Sequence, residues 1–159
     1  MKSVQTALNR RKKGEKGFTL VELLVVVIII GILAAVAVPI YLNQRKSAWK
    51  SSVQSDVKNA SLALETISTE NNGKIKVPAT GLECTTSSCV ITAGADGTLS
   101  IAATGTAGEK ITVSKDNGLK ITADGTNGYQ IDGWNANLDG SADKPNVTYK
   151  SSDGSLTNN

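Results

Sequence analysis

Lys16-Gly17-Phe18-Thr19-Leu20-Val21-Glu22 opens an apolar stretch of 25 residues, Phe18 to Leu42, in which Glu22 is the single charge. As a helix, this stretch runs about 37 Å at roughly 1.5 Å per residue, enough for a hydrocarbon core of about 30 Å. Its β-branched run, Val25-Val26-Val27-Ile28-Ile29-Ile30, is a poor helix former in water. In lipid it becomes a good one, because the backbone has no other way to pair its polar groups.

Five basic residues lie just upstream: Arg10, Arg11, Lys12, Lys13 and Lys16. The formal charge of +3 hides a division, since residues 1–17 carry +5 and the remainder −2. The basic character therefore belongs to a leader flanking an apolar segment and makes no case for a nucleic-acid-binding domain. Basic flanks tend to stay in the cytoplasm. Six Lys/Arg before the segment outweigh Arg45, Lys46 and Lys50 after it, so everything beyond Leu42 is expected outside. With no second apolar segment, at most one membrane crossing is expected.

Three readings of this segment compete. An ordinary secretory signal peptide would use the A-x-A-like triplet Ala35-Val36-Ala37 as its cleavage site, but Glu22 heads the core and the apolar run continues past that cut. A plain signal anchor would tether an unrelated domain. The third reading rests on a resemblance. The order of basic leader, Gly17-Phe18 junction, lone Glu22 and long apolar helix resembles the amino terminus of type IV prepilins and pseudopilins.

That resemblance implies an α+β pilin fold, with a long amino-terminal helix, membrane-spanning in its first half, packed on a small antiparallel sheet. It implies cleavage directly after Gly17 by a dedicated membrane aspartic peptidase, followed by N-methylation of Phe18. Glu22 matches the acidic residue at the fifth mature position, which in pilins is thought to pair with the amino-terminal amine of a neighbouring subunit. Gly31 and Pro39 match the ends of a stretch that is often unwound in the family's filaments; a kink tolerated in a membrane helix is the other reading. The implied partners are the chain itself in a helical homopolymer, other pilins, the prepilin peptidase, and a membrane assembly platform with its ATPase. DNA is a partner only of a competence pilus. The implied function is a structural subunit of a type IV pilus supporting adhesion, twitching motility or DNA uptake. The alternatives are a pseudopilin of a type II secretion or competence system and, from another class, a secreted or membrane-tethered binding domain. The implied location is the cytoplasmic membrane before assembly and the cell surface afterwards. A leader of seventeen residues looks more like Gram-positive relatives.

Helical periodicity continues past Leu42. Trp49, Val53, Val57, Ala60, Leu64 and Ile67 form one apolar stripe, with Arg45, Lys46, Lys50, Asp56, Lys58 and Glu65 on other faces. Asn71-Asn72-Gly73 is a stop signal, with Gly supplying a left-handed cap. The expected organisation is a leader at 1–17, a long helix at 18–72 with 18–42 in the membrane or filament core, and a β-rich head at 73–159. Twelve of the fifteen glycines lie from Gly73 onward. They fall mostly in turn signals around Gly97, Gly118, Gly125 and Gly154. Between them sit short runs: Val90–Thr92, Leu99–Ala102, Ile111–Ser114, Leu119–Ala123, Tyr129–Ile131 and Val147–Lys150. Asp-Gly and Asn-Gly between such runs read as hairpins, and the whole as one antiparallel meander covered by the helix stripe. Gly128–Gly133 and Val147–Gly154 resemble the carboxy-terminal strands of actinobacterial pilins.

Cys84 and Cys89 enclose four residues. In an oxidising compartment they are expected to form a disulfide, worth roughly 2 kcal/mol in the chain-entropy model. Asn135, Asn137 and Asp139, with Gly140 following, have the alternation of the front half of a calcium loop, but Asn146 stands where the closing Glu belongs. They are the only metal candidates, and no other cofactor is expected. The chain has no histidine, so the commonest general base and metal ligand is absent. No phosphate loop or nucleophile elbow appears. No catalytic residue, and no enzyme, is expected.

Overall fold

A computed structural model describes residues 18–102 and 107–159. The leader, and with it the expected cut after Gly17, lies outside the described residues. The chain divides into two compact units, Met1–Leu42 and Asn43–Asn159. Helix α1, Leu20–Glu70, contributes to both.

In the first unit every side chain from Phe18 to Leu42 is exposed. Among the described residues, α1 is the one helix long and apolar enough to cross a membrane. It runs through Gly31 and Pro39 without interruption. A Cβ on Gly31 would meet nothing within 4 Å, so the folded chain itself makes no use of that missing side chain.

The second unit is built on the other half of α1. Val53, Val57, Ala60, Leu64 and Ile67 are all 3% exposed or less, so the apolar stripe forms one wall of the core. Trp49, at its start, is only half-buried. The helix ends in a Schellman motif, with the Gly73 N–H donating to the Ser68 carbonyl at 2.8 Å and the Asn72 N–H to that of Thr69 at 3.3 Å. The left-handed cap residue is Asn72, at φ 54°, one position before the expected glycine. Asparagine tolerates this conformation better than other side chains.

Eight strands follow among the described residues: β1 Leu82–Cys84, β2 Ser88–Ala93, β3 Leu99–Ala102, β4 Glu109–Thr112, β5 Asn117–Ala123, β6 Tyr129–Asn135, β7 Val147–Lys150 and β8 Leu156–Asn158. They form two sheets and not one meander: a five-stranded sheet in the order β1-β5-β6-β7-β8 and a three-stranded one in the order β3-β2-β4. All pairings between these strands are antiparallel. Three of the glycine turns are hairpins, joining β2 to β3, β5 to β6 and β7 to β8. The fourth, at Asp116-Asn117-Gly118, is not: it carries the chain from β4 in the small sheet to β5 in the large one. The opposite crossing, from β1 to β2, is closed by the disulfide between Cys84 and Cys89, whose Cα atoms stand 5.9 Å apart.

Strand β6 shows why helix and sheet fit so closely. Tyr129, Ile131, Gly133 and Asn135 alternate onto its buried face, and Ile121 and Leu119 of β5 stand opposite Ile131 and Gly133. A Cβ on Gly133 would lie 2.5 Å from Val57 Cγ2 and 2.8 Å from Val53 Cγ1. The helix therefore rests against the bare backbone of β6.

Asp56 is not on a solvent face. It is 4% exposed, and its carboxylate accepts from the Ser114 N–H at 2.7 Å, the Ser114 hydroxyl at 3.0 Å and Asn117 Nδ2 at 2.7 Å. Asn117 Oδ1 in turn accepts from Asn135 Nδ2 at 2.6 Å. The passage between sheets brings buried donors to the helix, and only an acceptor there can satisfy them. At the other end of the stripe, the buried Tyr129 hydroxyl donates to the Glu65 carboxylate at 2.7 Å. Burial, and then the hydrogen bond to Glu65, push its pKa well above the ordinary tyrosine range.

Two outcomes follow from this packing. Gly133→Ala is expected to destabilise the head by about 1–3 kcal/mol, the usual range for overpacking, seen as a lower thermal midpoint, while Gly31→Ala leaves the midpoint unchanged. Tyr129 sets a sign at alkaline pH. Below about 10, its ordinary pKa, both folded and unfolded chains hold the proton. Above it the unfolded chain ionises first, so stability falls as pH rises. In denaturation curves between pH 9 and 11, Tyr129→Phe should flatten that decline.

Candidate functional site

The segment from Phe18 to Leu42 is the strongest candidate for function. A helix entering lipid has a particular difficulty: its first four N–H groups have no partner in their own helix and no water to turn to. Here Thr19 and Glu22 answer part of it, satisfying two of those donors. The Glu22 N–H donates to Thr19 Oγ1 at 3.2 Å, while Glu22 Oε2 accepts from the Thr19 N–H at 2.8 Å and from its hydroxyl at 3.0 Å. This reciprocal arrangement is a capping box. The carboxylate also sits at the end of the helix where the macrodipole favours negative charge.

Thr19 was not among the residues singled out from the sequence. Its signal was nonetheless present: Thr-x-x-Glu just before an apolar run. Within its own chain, Glu22 is thus an acceptor held at the mouth of the helix, one turn from Phe18. Phe18 itself is 80% exposed.

The other expected site residues lie in the head. Cys84 and Cys89 are joined and buried. Asn135 caps the short 3-10 turn Ala136–Leu138: its Oδ1 accepts from the Asn137 N–H at 2.8 Å. Its own N–H donates to Asn146 Oδ1 at 2.8 Å, so these two asparagines brace the loop between β6 and β7. Asn137 Nδ2 donates to Asp116 Oδ2 at 3.3 Å. Asp139 closes the turn in the left-handed conformation, at φ 53°. Among the described residues, no group of three or more His, Cys, Asp or Glu is placed to hold a metal ion. The arrangement seen at Asn135 and Asn137 is that of a capped turn.

Two comparisons with known proteins bear on the amino-terminal segment. Residues 12–38 match the prokaryotic N-terminal methylation motif. The chain is 49% identical over 55 residues to the type IV major fimbrial protein FimA of Dichelobacter nodosus, a match covering 35% of each chain. It is 43% identical over 53 residues to the fimbrial protein EcpB of Eikenella corrodens, covering 33% of each. It is 36% identical over 62 residues to the type II secretion system core protein G of Klebsiella michiganensis, covering 39% of this chain and 44% of that one. The chain thus spans about a third of the length of the first curated relatives it matches. No solved structure matches it significantly. Over its amino-terminal third the chain is thus similar to type IV fimbrial proteins and to a type II secretion core protein, and it carries the methylation motif at residues 12–38.

Proposed function

We propose that this chain is the structural subunit of a type IV pilus. In this reading a prepilin peptidase cuts between Gly17 and Phe18 and methylates the new amine. The mature chain waits in the cytoplasmic membrane, spanning it once through Phe18–Leu42, until a membrane platform and its cytoplasmic ATPase draw it into a helical fibre of identical chains. The observation that carries the reading is an apolar helix with every side chain exposed, entered through the motif that opens at Lys16-Gly17-Phe18. Such a surface needs lipid before assembly and other copies of itself afterwards. The roles of the fibre in adhesion, twitching motility and DNA uptake are separate outcomes of the same assembly.

A second reading is favoured by one finding, the similarity to a core protein of type II secretion. In that case the chain is a pseudopilin of a secretion or competence machine. Long surface filaments sheared from the native host and containing this chain distinguish a pilus from a short pseudopilus. A bound calcium ion at Asn135, Asn137 and Asp139 is not needed for either reading, and a calcium titration of the chain's thermal midpoint tests it.

The intact mass of the mature protein from its native host checks the processing step. The expected result is a chain beginning at N-methylated Phe18; one beginning at Val38, after Ala35-Val36-Ala37, means a discarded signal peptide and contradicts the proposal. The capping box gives a sharper assay of Glu22. Glu22→Gln keeps an acceptor for the Thr19 N–H but removes the charge, so cleavage and membrane insertion should persist while filament yield falls about tenfold or more. Equal filament yields from Glu22→Gln and the wild type would mean that Glu22 serves as a helix cap alone.

A further inference from the structure

The outer face of the large sheet carries a side chain that the core does not need. Tyr129, Ile131, Gly133 and Asn135 occupy the buried face of β6. Trp134 therefore stands on the opposite face, half-buried and outside the core cluster. Two glycines make room for it. Gly118 lies directly across the β5–β6 pair, and a Cβ there would overlap the indole ring. A Cβ on Gly140 would lie 2.8 Å from Trp134 Cβ. The ring is thus laid against bare backbone and held in one place. Among the described residues its N–H has no acceptor. Since no buried side-chain nitrogen there lacks a partner, that N–H is open to solvent.

Trp134 lines a cleft of about 500 Å³ whose other walls come from the two passages between the sheets. Thr85, Thr86 and Ser87 lie inside the ring closed by Cys84 and Cys89, and Ser114, Lys115 and Asp116 lie between β4 and β5. Both passages are anchored. The Val113 N–H donates to the Ser87 carbonyl at 3.0 Å, and the Ala136 N–H to the Asp116 carbonyl at 2.9 Å. Asp116 Oδ2 accepts from Asn137 Nδ2 at 3.3 Å; its Oδ1 has no donor among the described residues.

We propose that this cleft binds a neutral sugar, one hexopyranose unit of a glycan. Its C–H face would rest on the Trp134 ring, with its hydroxyls on Asp116 and the Thr85–Ser87 loop. The lining selects that chemistry. A pyranose has a face of C–H groups rimmed by hydroxyls, and the face of an indole is the negative side of its quadrupole, which attracts such groups. Around it stand hydroxyls, an indole N–H and a carboxylate, donors and acceptors both. Trp134 is the one large apolar side chain in the lining, so an apolar ligand would leave those polar groups unpaired. A nucleic-acid strand also stacks on tryptophan. Here Lys115 and Asp116 cancel, and a phosphate chain finds no net positive charge. Because the walls are fixed by the disulfide and by backbone hydrogen bonds, little ordering opposes binding.

The site belongs to the head and does not rest on the proposed filament. In a fibre of identical chains it would repeat, and many weak contacts to one glycan-bearing surface would add as avidity.

The test uses the full chain in phosphatidylcholine nanodiscs, which bring no sugar of their own. Saturation-transfer NMR measures the binding of glucose, galactose, mannose and N-acetylglucosamine. For at least one of them a Kd on the order of 1 mM is expected, from the efficiency of small ligands. Trp134→Phe, which keeps a smaller ring over Gly118, should weaken binding about fivefold. Asp116→Asn suits the left-handed backbone there, at φ 65°, which asparagine tolerates; it should weaken binding about tenfold. Trp49→Phe, at the other tryptophan, should leave binding unchanged. Thermal midpoints check that each head stays folded. A lower midpoint in Trp134→Phe with sugar binding intact would assign Trp134 to covering Gly118 alone and overturn the site. Equal effects of Trp49→Phe and Trp134→Phe, or binding of oligothymidylate in place of every sugar, would overturn it too. Once a sugar is found, competition by wall polysaccharide of the native host and by glycans released from other cells shows which of the two carries it. Sugar binding by a chain that forms no filaments leaves the site standing without the proposed function. No sugar binding by a chain that does form them removes the site alone.

Discussion

Eighteen large apolar side chains between Phe18 and Leu42 stand exposed in the folded chain. At about 1.5 kcal/mol or more for each one left in water, they represent on the order of 30 kcal/mol, several times the net stability of a typical domain. No rearrangement of the head could offset such a term. On the proposed reading the segment is in lipid before assembly and packed against other chains afterwards. The capping box follows from the same constraint. A helix mouth in a dry environment needs its donors satisfied from within, and the capping box supplies two of them, the Thr19 and Glu22 N–H groups, without borrowing from a neighbour.

The head solves a different problem. From Asn43 onward it has one helix and short strands with few aromatic residues, so its core is thin. It gains stability from close approach. Gly133 lets Val53 and Val57 touch the β6 backbone. The disulfide and the Asp56–Asn117–Asn135 chain of hydrogen bonds each secure one of the two passages between sheets. A single buried carboxylate meeting three donors is a demanding arrangement, because removing it would leave those donors unpaired. It also fixes one geometry for the β4–β5 crossing, where apolar contacts alone would accept several.

Much of this was legible in the sequence. The apolar run, the stripe from Val53 to Ile67 and the glycine turns carry strong periodic or positional signals, and they located the helix and six of the strands. Strands β1 and β8 went unseen because Leu82–Cys84 and Leu156–Asn158 are too short for alternation to register. The division into two sheets was hidden for another reason. Asn117-Gly118 has the local chemistry of a hairpin turn, and only the tertiary pairing of β5 with β1 and β6 decides that the chain is changing sheets there. Asp56 was placed only on a face other than the apolar stripe, because helical spacing reports which face a residue occupies but not what is packed beside that face. Thr19 was legible and passed over, since Glu22 already drew attention as a lone charge.

The central claim is that the Phe18–Leu42 helix finds its permanent partners in copies of itself. The most direct measurement is electron cryomicroscopy of filaments sheared from the native host, at a resolution that traces side chains. The account predicts a core of bundled Phe18–Leu42 helices with the β-rich heads outside. A filament whose subunits join through their heads, with this helix absent or outside the core, would contradict it.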